Sequence, residues 1–242
     1  DADGKVVGTT MLWRRSKSCY ISTVMTDPDF RRAGVATSLL KTAITYSKDR
    51  KLGNAILHVS SNNNTAKSLY SKLGFAKFEE NLYMTADVKS LIDSEKADGI
   101  QVRDFKKSDE DAVYELIKGS RDSSLEVYGF QKKDLRSPLL GRIARFGTAK
   151  KIVAVQDERV VGYASVSCDS SRVAGRINLD VYPELVSKPI GEQLIRAGAD
   201  YVKSYDSNSV LLVIPLRSKE LVEKAESIGF RKRLVFEGWV LR

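Results

Sequence analysis

The feature that most constrains the fold of this chain is a faint internal repeat at a nearly constant offset of 155 in the sequence numbering. The segment GKVVGTTML at 4–12 resembles ERVVGYASV at 158–166, and KLGFAK at 72–77 resembles SIGFRK at 227–232. Four pairs keep one order: Gly8 and Gly162 at an offset of 154, and Pro28 and Pro183, Ala36 and Gly191, and Gly74 and Gly229, each at 155. Self-similarity at a fixed period indicates a repeated structural unit. We therefore predict two copies of one domain, residues 1–94 and 95–242, joined by the polar stretch 90–99.

Both copies show the same succession of periodic patterns. In the first copy, alternating β-branched and aromatic residues predict strands, and apolar residues at helical spacing predict helices. The predicted strands are 5–13, 20–26, 55–61 and 76–88. The first predicted helix begins at Ala36 and stops at Gly53, and the second spans 64–73. The second copy repeats the end of this series with strands 210–216 and 232–242 around a helix over 218–228. Strands that alternate with helices predict a mixed α/β fold.

The second copy has an additional opening segment. Residues 100–119 predict a strand, a cap near Ser108 and a helix with Ala112, Val113, Leu116 and Ile117 facing inward. Subtracting the repeat offset from Ile100 places its counterpart near position −55, before the first residue of the sequence. We therefore expect the first copy to lack its opening strand and helices, and a segment of about that length to precede Asp1 in the natural protein.

Composition narrows the functional classes. The net charge of +9 is spread evenly, because residues 1–98 hold 15 Lys/Arg and 11 Asp/Glu while residues 99–242 hold 25 and 20. A nucleic-acid-binding protein is therefore the least supported class. No apolar run is long enough to predict a membrane span. Cys19 and Cys168 lack metal-ligand spacing and favour a reducing, cytoplasmic location, and the single histidine, His58, excludes a multi-histidine metal site.

The turn between the second strand and the first helix is the first candidate site. Its sequence, RRAGVAT at 31–37, combines two arginines with small residues directly before a helix. A helix N-terminus offers unpaired N–H groups and a positive dipole end, and small residues let an anion approach the backbone. The turn alone fits either an anion site or a plain connector.

The wider sequence around this turn resembles the GNAT superfamily of acyl-CoA-dependent N-acetyltransferases. The first motif is Asp27-Pro28, Phe30 and Arg31-x-x-Gly34-x-Ala36. The second is Asn63, Ala66, Leu69-Tyr70, Lys72 and Gly74-Phe75. The resemblance runs from Asp27 to Phe75 and implies two tandem GNAT-like domains, each with a mixed, mostly antiparallel sheet flanked by helices.

The resemblance also implies an acyl-CoA site in the first copy, with acetyl-CoA as the acyl donor. Backbone amides of residues 32–37 would hold the pyrophosphate, and the strand at 24–26 would separate from its neighbour and pair with the pantetheine arm. The implied cofactor-binding residues are Val24, Met25, Thr26, Arg31, Arg32, Ala33, Gly34, Val35, Ala36, Thr37 and Asn63.

One side chain is implied to be catalytic. Tyr70 would protonate the departing thiolate, since a phenol stays protonated at neutral pH; the alternative is that Tyr70 only packs in the core. Asn63 would orient the pantetheine or cap the following helix. His58 could act as the general base, although a lone histidine is more often structural. No metal site is expected.

The second copy departs from both motifs. Val186 stands at the Arg31 position, Pro189 at the Gly34 position, Ser218 at the Asn63 position and Ala225 at the Tyr70 position. Proline has no N–H to offer a phosphate. We therefore expect a degenerate, non-catalytic second domain, and an N-acetyltransferase acting on a primary amine in the first. The alternative is a non-catalytic acyl-CoA-binding or protein-interaction module. The acceptor is open between a metabolite, an antibiotic, a peptide N-terminus and a lysine.

Overall fold

The computed structural model describes residues 4–14, 17–92, 99–121, 124–136, 148–168 and 173–242, and has a mixed α/β fold as predicted. Its strands are β1 (Gly8–Arg14), β2 (Ser18–Thr26), β3 (Asn54–Ser60), β4 (Ala76–Asp87), β5 (Ile100–Asp104), β6 (Thr148–Gln156), β7 (Arg159–Cys168), β8 (Ala174–Val181), β9 (Ser209–Pro215) and β10 (Arg231–Leu241). Its helices are α1 (Val35–Asp49), α2 (Asn64–Lys72), α3 (Glu110–Arg121), α4 (Ser124–Tyr128), α5 (Ile190–Ser204) and α6 (Lys219–Ser227).

The repeat extends through consecutive elements of the structure. Helix α1 starts at 35 and α5 at 190, and strand β3 starts at 54 and β9 at 209. Helix α2 starts at 64 and α6 at 219, and strand β4 starts at 76 and β10 at 231. Each of these four pairs has the offset found in the sequence. The tandem arrangement predicted from the sequence is therefore present in the described secondary structure.

The described residues fall into two compact units. Unit 1 consists of those within 1–79, 124–130 and 236–242, and unit 2 of those within 80–123 and 131–235. The boundary of the sequence repeat at residues 94 and 95 stays a prediction, and residues 93–98 of the predicted linker lie outside the described residues.

The sheet of unit 1 has the strand order β1-β2-β3-β10. Strands β1 and β2 are antiparallel, β2 and β3 are parallel, and β3 and β10 are antiparallel. Because successive side chains of a strand point to opposite faces, one face carries a core that packs against α1 and α2. Its buried members include Cys19, Ile21, Leu40, Ala43, Leu57, Val59, Tyr70 and Phe75. On the other face, Ile56 is buried with Val127 and Val240.

The sheet of unit 2 has the strand order β4-β9-β8-β7-β6-β5, with β8 and β9 as its one parallel pair among the described pairings. Helix α5 contributes Leu194, Ile195, Ala199 and Val202 to its core. In α3, Val113, Leu116 and Ile117 are buried as predicted. The prediction for Ala112 was wrong: this residue is exposed, and Glu110 is buried instead. In the described part of the chain, none of the helices is both long and apolar enough to cross a membrane.

Candidate functional site

Strands β2 and β3 pair over only part of their length. The parallel register runs from Ser18 opposite Asn54 to Ile21 opposite Leu57, whereas β2 continues to Thr26. On its other side, β2 contains an irregularity, because Thr9 pairs with Met25 but Met11 pairs with Ser22. Thr23 lies inside this bulge with a φ of 55°, which is rare for a β-branched residue. A bulge bends and twists its strand, and the strands separate beyond Leu57.

The turn that follows β2 has a strongly irregular backbone. The Asp27 carboxylate accepts a hydrogen bond from the Asp29 N–H at 3.0 Å and caps a short 3-10 turn over Pro28–Phe30. Two left-handed residues follow: Arg32 with a φ of 65° and Gly34 with a φ of 84°. Helix α1 then begins at Val35. Alternation of left-handed and right-handed residues turns successive N–H groups towards one concave side.

Six consecutive backbone N–H groups, those of residues 32–37, have no acceptor among the described residues. The Arg31 N–H donates to the Pro28 carbonyl at 3.3 Å, and the next intramolecular bond is from the Ser38 N–H to the Gly34 carbonyl at 2.9 Å. The side chains of Arg31 and Arg32 are exposed beside this turn. Six donors, a positive helix end and two guanidinium groups suit a doubly charged anion of pyrophosphate size. We name residues 31–37 the amide cradle.

A groove of about 690 Å³ extends from the cradle along α1. Hydroxyl groups and one cation line most of it: the lining residues are Gly34, Thr37, Ser38, Lys41, Thr42, Thr45, Tyr46 and Asp49. The groove therefore extends the surface on which the cradle opens.

Tyr70 lies in α2 with 7% of its surface exposed and packs against Phe75, with ring centroids 6.1 Å apart. Burial raises the pKa of Tyr70 above its ordinary value of 10.0. Within the described residues, the Tyr70 hydroxyl has no hydrogen-bond partner. Among these residues, the Ser207 hydroxyl is the only unpartnered side-chain group that is completely inaccessible to solvent, so the Tyr70 hydroxyl is not completely inaccessible. The Tyr70 oxygen therefore reaches accessible space although its ring belongs to the core. Asn63 caps α2, since its side-chain oxygen accepts the Ala66 N–H at 3.1 Å.

Comparisons with known proteins agree with this geometry. The family model described as Acetyltransferase (GNAT) family matches residues 1–75. A tandem GNAT protein from the clavulanic acid biosynthesis pathway superposes with a TM-score of 0.70 at 16% identity, covering 99% of this chain and 80% of that protein. Residues 1–75 match the GNAT family model, and the chain has the fold of a tandem GNAT protein.

Two further solved GNAT proteins share this fold. A GCN5-related N-acetyltransferase from Sphaerobacter thermophilus gives a TM-score of 0.65 at 16% identity and covers 99% of this chain and 78% of its own. A GCN5-related N-acetyltransferase from Kribbella flavida gives 0.63 at 10% identity, covering 98% and 88%. A search of curated protein sequences finds no significant match. At these identities, the solved structures show the fold alone.

The second repeat lacks an equivalent amide cradle. The described segment from Pro183 to Pro189 contains no left-handed residue, the Lys188 N–H donates to the Leu185 carbonyl at 3.0 Å, and Pro189 has no N–H. Its strand β8 also pairs regularly with β7 where β2 has a bulge against β1.

The Met25 position of the second repeat is occupied by Asp180, which is 2% exposed. Its carboxylate accepts two hydrogen bonds from Arg121, at 2.5 and 2.7 Å, and one from Ser120 at 3.0 Å. Asp180 and Ser120 line a cavity of about 360 Å³ in unit 2. An ion pair with a buried carboxylate and a partly exposed guanidinium therefore lies beside this cavity.

A polar cluster surrounds His58 on the face of the unit 1 sheet opposite Tyr70. The Tyr20 hydroxyl lies 2.9 Å from His58 Nδ1, and Glu79 Oε1 lies 2.9 Å from His58 Nε2. The Tyr128 hydroxyl lies 2.8 Å from His58 Nε2 and contacts Glu79 Oε1 closely. The side chains of His58 and Glu79 are 19% and 16% exposed. We name Tyr20, His58, Glu79 and Tyr128 the histidine cluster.

Sequence reasoning selected His58 as a possible base but missed its three partners. They lie 38, 21 and 70 residues away from His58 and follow no common spacing. The available signal was strand alternation, which places Tyr20 and His58 on one face once β2 and β3 are paired in register. Tyr128 gave no local signal, because it comes from a short helix in a segment of the second repeat.

Proposed function

We propose that the first repeat is an acyl-CoA N-acyltransferase that transfers an acetyl group from acetyl-CoA to a primary amine. The observation that carries this proposal is the amide cradle: the N–H groups of residues 32–37, in the turn before α1 and in its first turn, have no acceptor among the described residues and lie beside two arginines. The GNAT fold is one that supports acyl-CoA-dependent N-acetyltransferase activity in general. The second repeat, with Pro189 in place of Gly34, is proposed to be non-catalytic.

In this proposal, the backbone of unit 1 binds the acyl donor. N–H groups of residues 32–37 hold the pyrophosphate, and the groove along α1 accommodates the adjoining nucleotide. The β3-facing edge of Val24, Met25 and Thr26 lies beyond the last β2–β3 pair and offers backbone groups to the amides of the pantetheine arm. A backbone N–H group where β2 and β3 separate stabilises the negative charge that develops on the thioester oxygen during attack by the amine.

Tyr70 is proposed as the acid for the departing thiolate. Its raised pKa keeps the phenol protonated at neutral pH, and its hydroxyl reaches accessible space while the ring is fixed by the core. A fixed proton donor needs no reorganisation when the C–S bond breaks. Asn63 supports the site by capping α2, the helix that carries Tyr70, and its contact with the pantetheine arm stays a prediction.

The cradle is tested by removing a single N–H group. Ala36 occupies the second position of α1, and proline is tolerated in the first turn of a helix while having no N–H. Ala36→Pro should weaken acetyl-CoA binding about tenfold to 100-fold, the equivalent of one hydrogen bond to a charged group. Ala36→Val is the matched control, because it adds similar bulk and keeps the N–H. Calorimetric titration of both variants against acetyl-CoA decides: equal affinities would refute the cradle.

A non-catalytic acyl-CoA-binding module is the second candidate, favoured by the position of Tyr70 in the core. Tyr70→Phe keeps the ring and its packing but removes the hydroxyl. For a transferase, the variant should bind acetyl-CoA as the parent does and release thiol about 100-fold more slowly with a panel of primary amines. Acetyl-CoA that stabilises the parent against heat without any thiol release across the panel would favour the binding module.

A further inference from the structure

We propose that Tyr20, His58 and Glu79 form a proton relay that removes the proton from the acceptor amine, with Tyr20 as the group that meets the amine. The inference rests on the proposed transferase function. It assigns the general base, which the two GNAT motifs in this sequence leave open.

For a neutral His58, the hydrogen bonds of the histidine cluster fit one assignment of protons. A carboxylate only accepts, so Glu79 requires donors, and both His58 Nε2 and the Tyr128 hydroxyl point at it. The Nε2 atom of a neutral His58 therefore carries the proton. Nδ1 is then the acceptor, and it receives the Tyr20 O–H at 2.9 Å. A carboxylate, an imidazole and a hydroxyl in this order form the arrangement that activates hydroxyl groups in triads.

The relay lies where the two strands separate. Leu57 is the last residue of β3 that pairs with β2, and His58 is the next residue along β3. Tyr20 lies opposite Ile56, one pair before the separation. Strand alternation puts Leu57 and Val59 on the Tyr70 face and His58 on the other. A thioester held between the separated strands would therefore have the acid on one face and the relay on the opposite face.

The chain provides specific room for the relay carboxylate. Glu79 belongs to the part of β4 that lies in unit 1. The β10 residue opposite His58 is Gly238. A Cβ atom at Gly238 would lie 2.6 Å from Glu79 Cγ and 3.0 Å from Glu79 Oε1. Glu79 therefore reaches His58 across the one β10 position that has no side chain to block it.

The groups that face His58 come from three elements packed against it: Tyr20 from β2, Glu79 from β4 and Tyr128 from α4. On β10, the directly opposite residue is Gly238, which does not titrate. Its neighbour Glu237 is engaged by Lys67 at 3.4 Å and by the Trp239 indole N–H at 3.0 Å. Within the described residues, Tyr20 and Glu79 are the groups of the relay that bond to His58, and Tyr128 is a neighbour outside the relay.

The proposed step balances as follows. The amine nitrogen bonds to the thioester carbonyl carbon, and the C–S bond breaks. One amine proton passes to Tyr20 Oη as the Tyr20 proton passes to His58 Nδ1, and the Tyr70 hydroxyl protonates the thiolate. Imidazolium and phenolate then return to their starting states by proton exchange with water. Products are the N-acylated amine and free CoA thiol.

The tautomer of His58 provides a test that needs no acceptor. His58 is the only histidine in the chain, so long-range proton–nitrogen NMR of labelled protein without a histidine tag reports one imidazole. We expect the Nε2–H tautomer, with the Nδ1 resonance shifted by Tyr20→Phe. An Nδ1–H tautomer would overturn the proposal, because a protonated Nδ1 cannot accept the Tyr20 proton. This result is independent of whether acetyl-CoA binds, so it separates failure of the relay from failure of the transferase function.

Kinetics of the full chain with acetyl-CoA provide the second readout, with tyramine, lysine and glucosamine as probe amines between about pH 6 and pH 9. Tyr20→Phe and Glu79→Gln should each lower kcat/KM about 100-fold and change its pH profile. Tyr128→Phe is the matched control, because it removes a hydroxyl from the same cluster but outside the relay, and it should keep the profile with kcat/KM within about threefold of the parent. If Tyr20→Phe and Tyr128→Phe both keep the pH profile of the parent, the histidine cluster has only a structural role and the proposal is overturned. If none of the three probe amines is acylated, the His58 tautomer measured by NMR is the test of the proposed relay.

Discussion

Substitution of Gly238 by alanine tests whether the Glu79 carboxylate reaches His58 because Gly238 has no side chain. Gly238 lies in the interior of β10 and its φ is not positive, so alanine suits its backbone. Glycine within a strand is less stable than alanine by about 0.5–1 kcal/mol. Without a neighbouring group in the way, Gly238→Ala should therefore raise the free energy of unfolding.

The neighbours of Gly238 reverse this expectation. The new Cβ would lie 2.6 Å from Glu79 Cγ and 2.9 Å from Phe78 Cε1, whereas carbon atoms in contact are about 3.5–4.0 Å apart. The Glu79 side chain must move and lose its hydrogen bond to His58 Nε2. A hydrogen bond to a charged group contributes about 1.5–3 kcal/mol. After the backbone gain is subtracted, Gly238→Ala should lower the free energy of unfolding by about 1–2 kcal/mol.

Urea denaturation monitored by fluorescence measures this change in the free energy of unfolding. Trp239, next to the substitution, is a local fluorescent probe. In a Glu79→Ala background, the main obstruction is gone, so Gly238→Ala should cost close to nothing. Gly119→Ala is the control: its Cβ would meet only Tyr182 at 3.6 Å, and in helix α3 it should stabilise by about 0.5–1 kcal/mol. An equal cost of Gly238→Ala with and without Glu79 would refute the reasoning.

Three further predictions concern unit 2, each measured by urea denaturation. Asp180→Ala should cost about 3 kcal/mol, because it leaves the partly buried Arg121 guanidinium without its carboxylate. The side-chain hydrogen bond from Arg103 lowers the pKa of Asp109 below its ordinary 3.8. The stabilisation from this pair is therefore present above that value and lost as the pH falls through the folded-state pKa. Arg103→Gln should be less stable than the parent by about 1–2 kcal/mol at neutral pH, with the difference vanishing in acid. Ser207→Ala should stabilise by about 1 kcal/mol, because it removes a fully buried hydroxyl without a partner among the described residues.

Local periodicity predicted most of the secondary structure of this chain. The segments 55–61 and 64–73 became β3 and α2 with boundaries shifted by at most one position, since their apolar patterns are set by immediate neighbours. The end of α1 was less well predicted. Gly53 was expected to end the helix, but α1 ends at Asp49 and the left-handed Lys51 lies in the turn that follows.

Long-range contacts account for the errors in α3. Ala112 was expected to face inward because it is apolar, but the exposed position is set by packing, and a buried position nearby is taken by Glu110. Arg136 donates to both oxygens of that carboxylate, at 2.9 and 2.8 Å. The cap expected near Ser108 is supplied by its neighbour Asp109, which accepts the Lys106 N–H at 2.7 Å. No local pattern identifies a charge whose burial depends on a partner as far along the chain as Arg136.

The candidate site also combines features that the local sequence predicts with features that depend on distant residues. Residues 31–37 could be selected from sequence, because small residues and arginines before a helix have a local physical meaning. The bulge at Thr23 could not, since a threonine with positive φ contradicts its own conformational preference. The histidine cluster depends on strand order and on one glycine in β10, and neither is encoded near His58.

The strand that completes the unit 1 sheet has a consequence for biosynthesis. Strand β3 pairs with residues 236–241, and Phe236 lies opposite Ser60, 176 positions earlier in the chain. During translation, all of the polypeptide between β3 and β10 must leave the ribosome before β3 and the histidine cluster can acquire this neighbour. Pairings of such large sequence separation form slowly, and until then β3 exposes an unpaired edge of apolar residues, a template for misassembly. The candidate site should therefore be the last part of unit 1 to mature, and pulse-labelled hydrogen exchange during refolding should find β3 protected later than the β6–β7 hairpin.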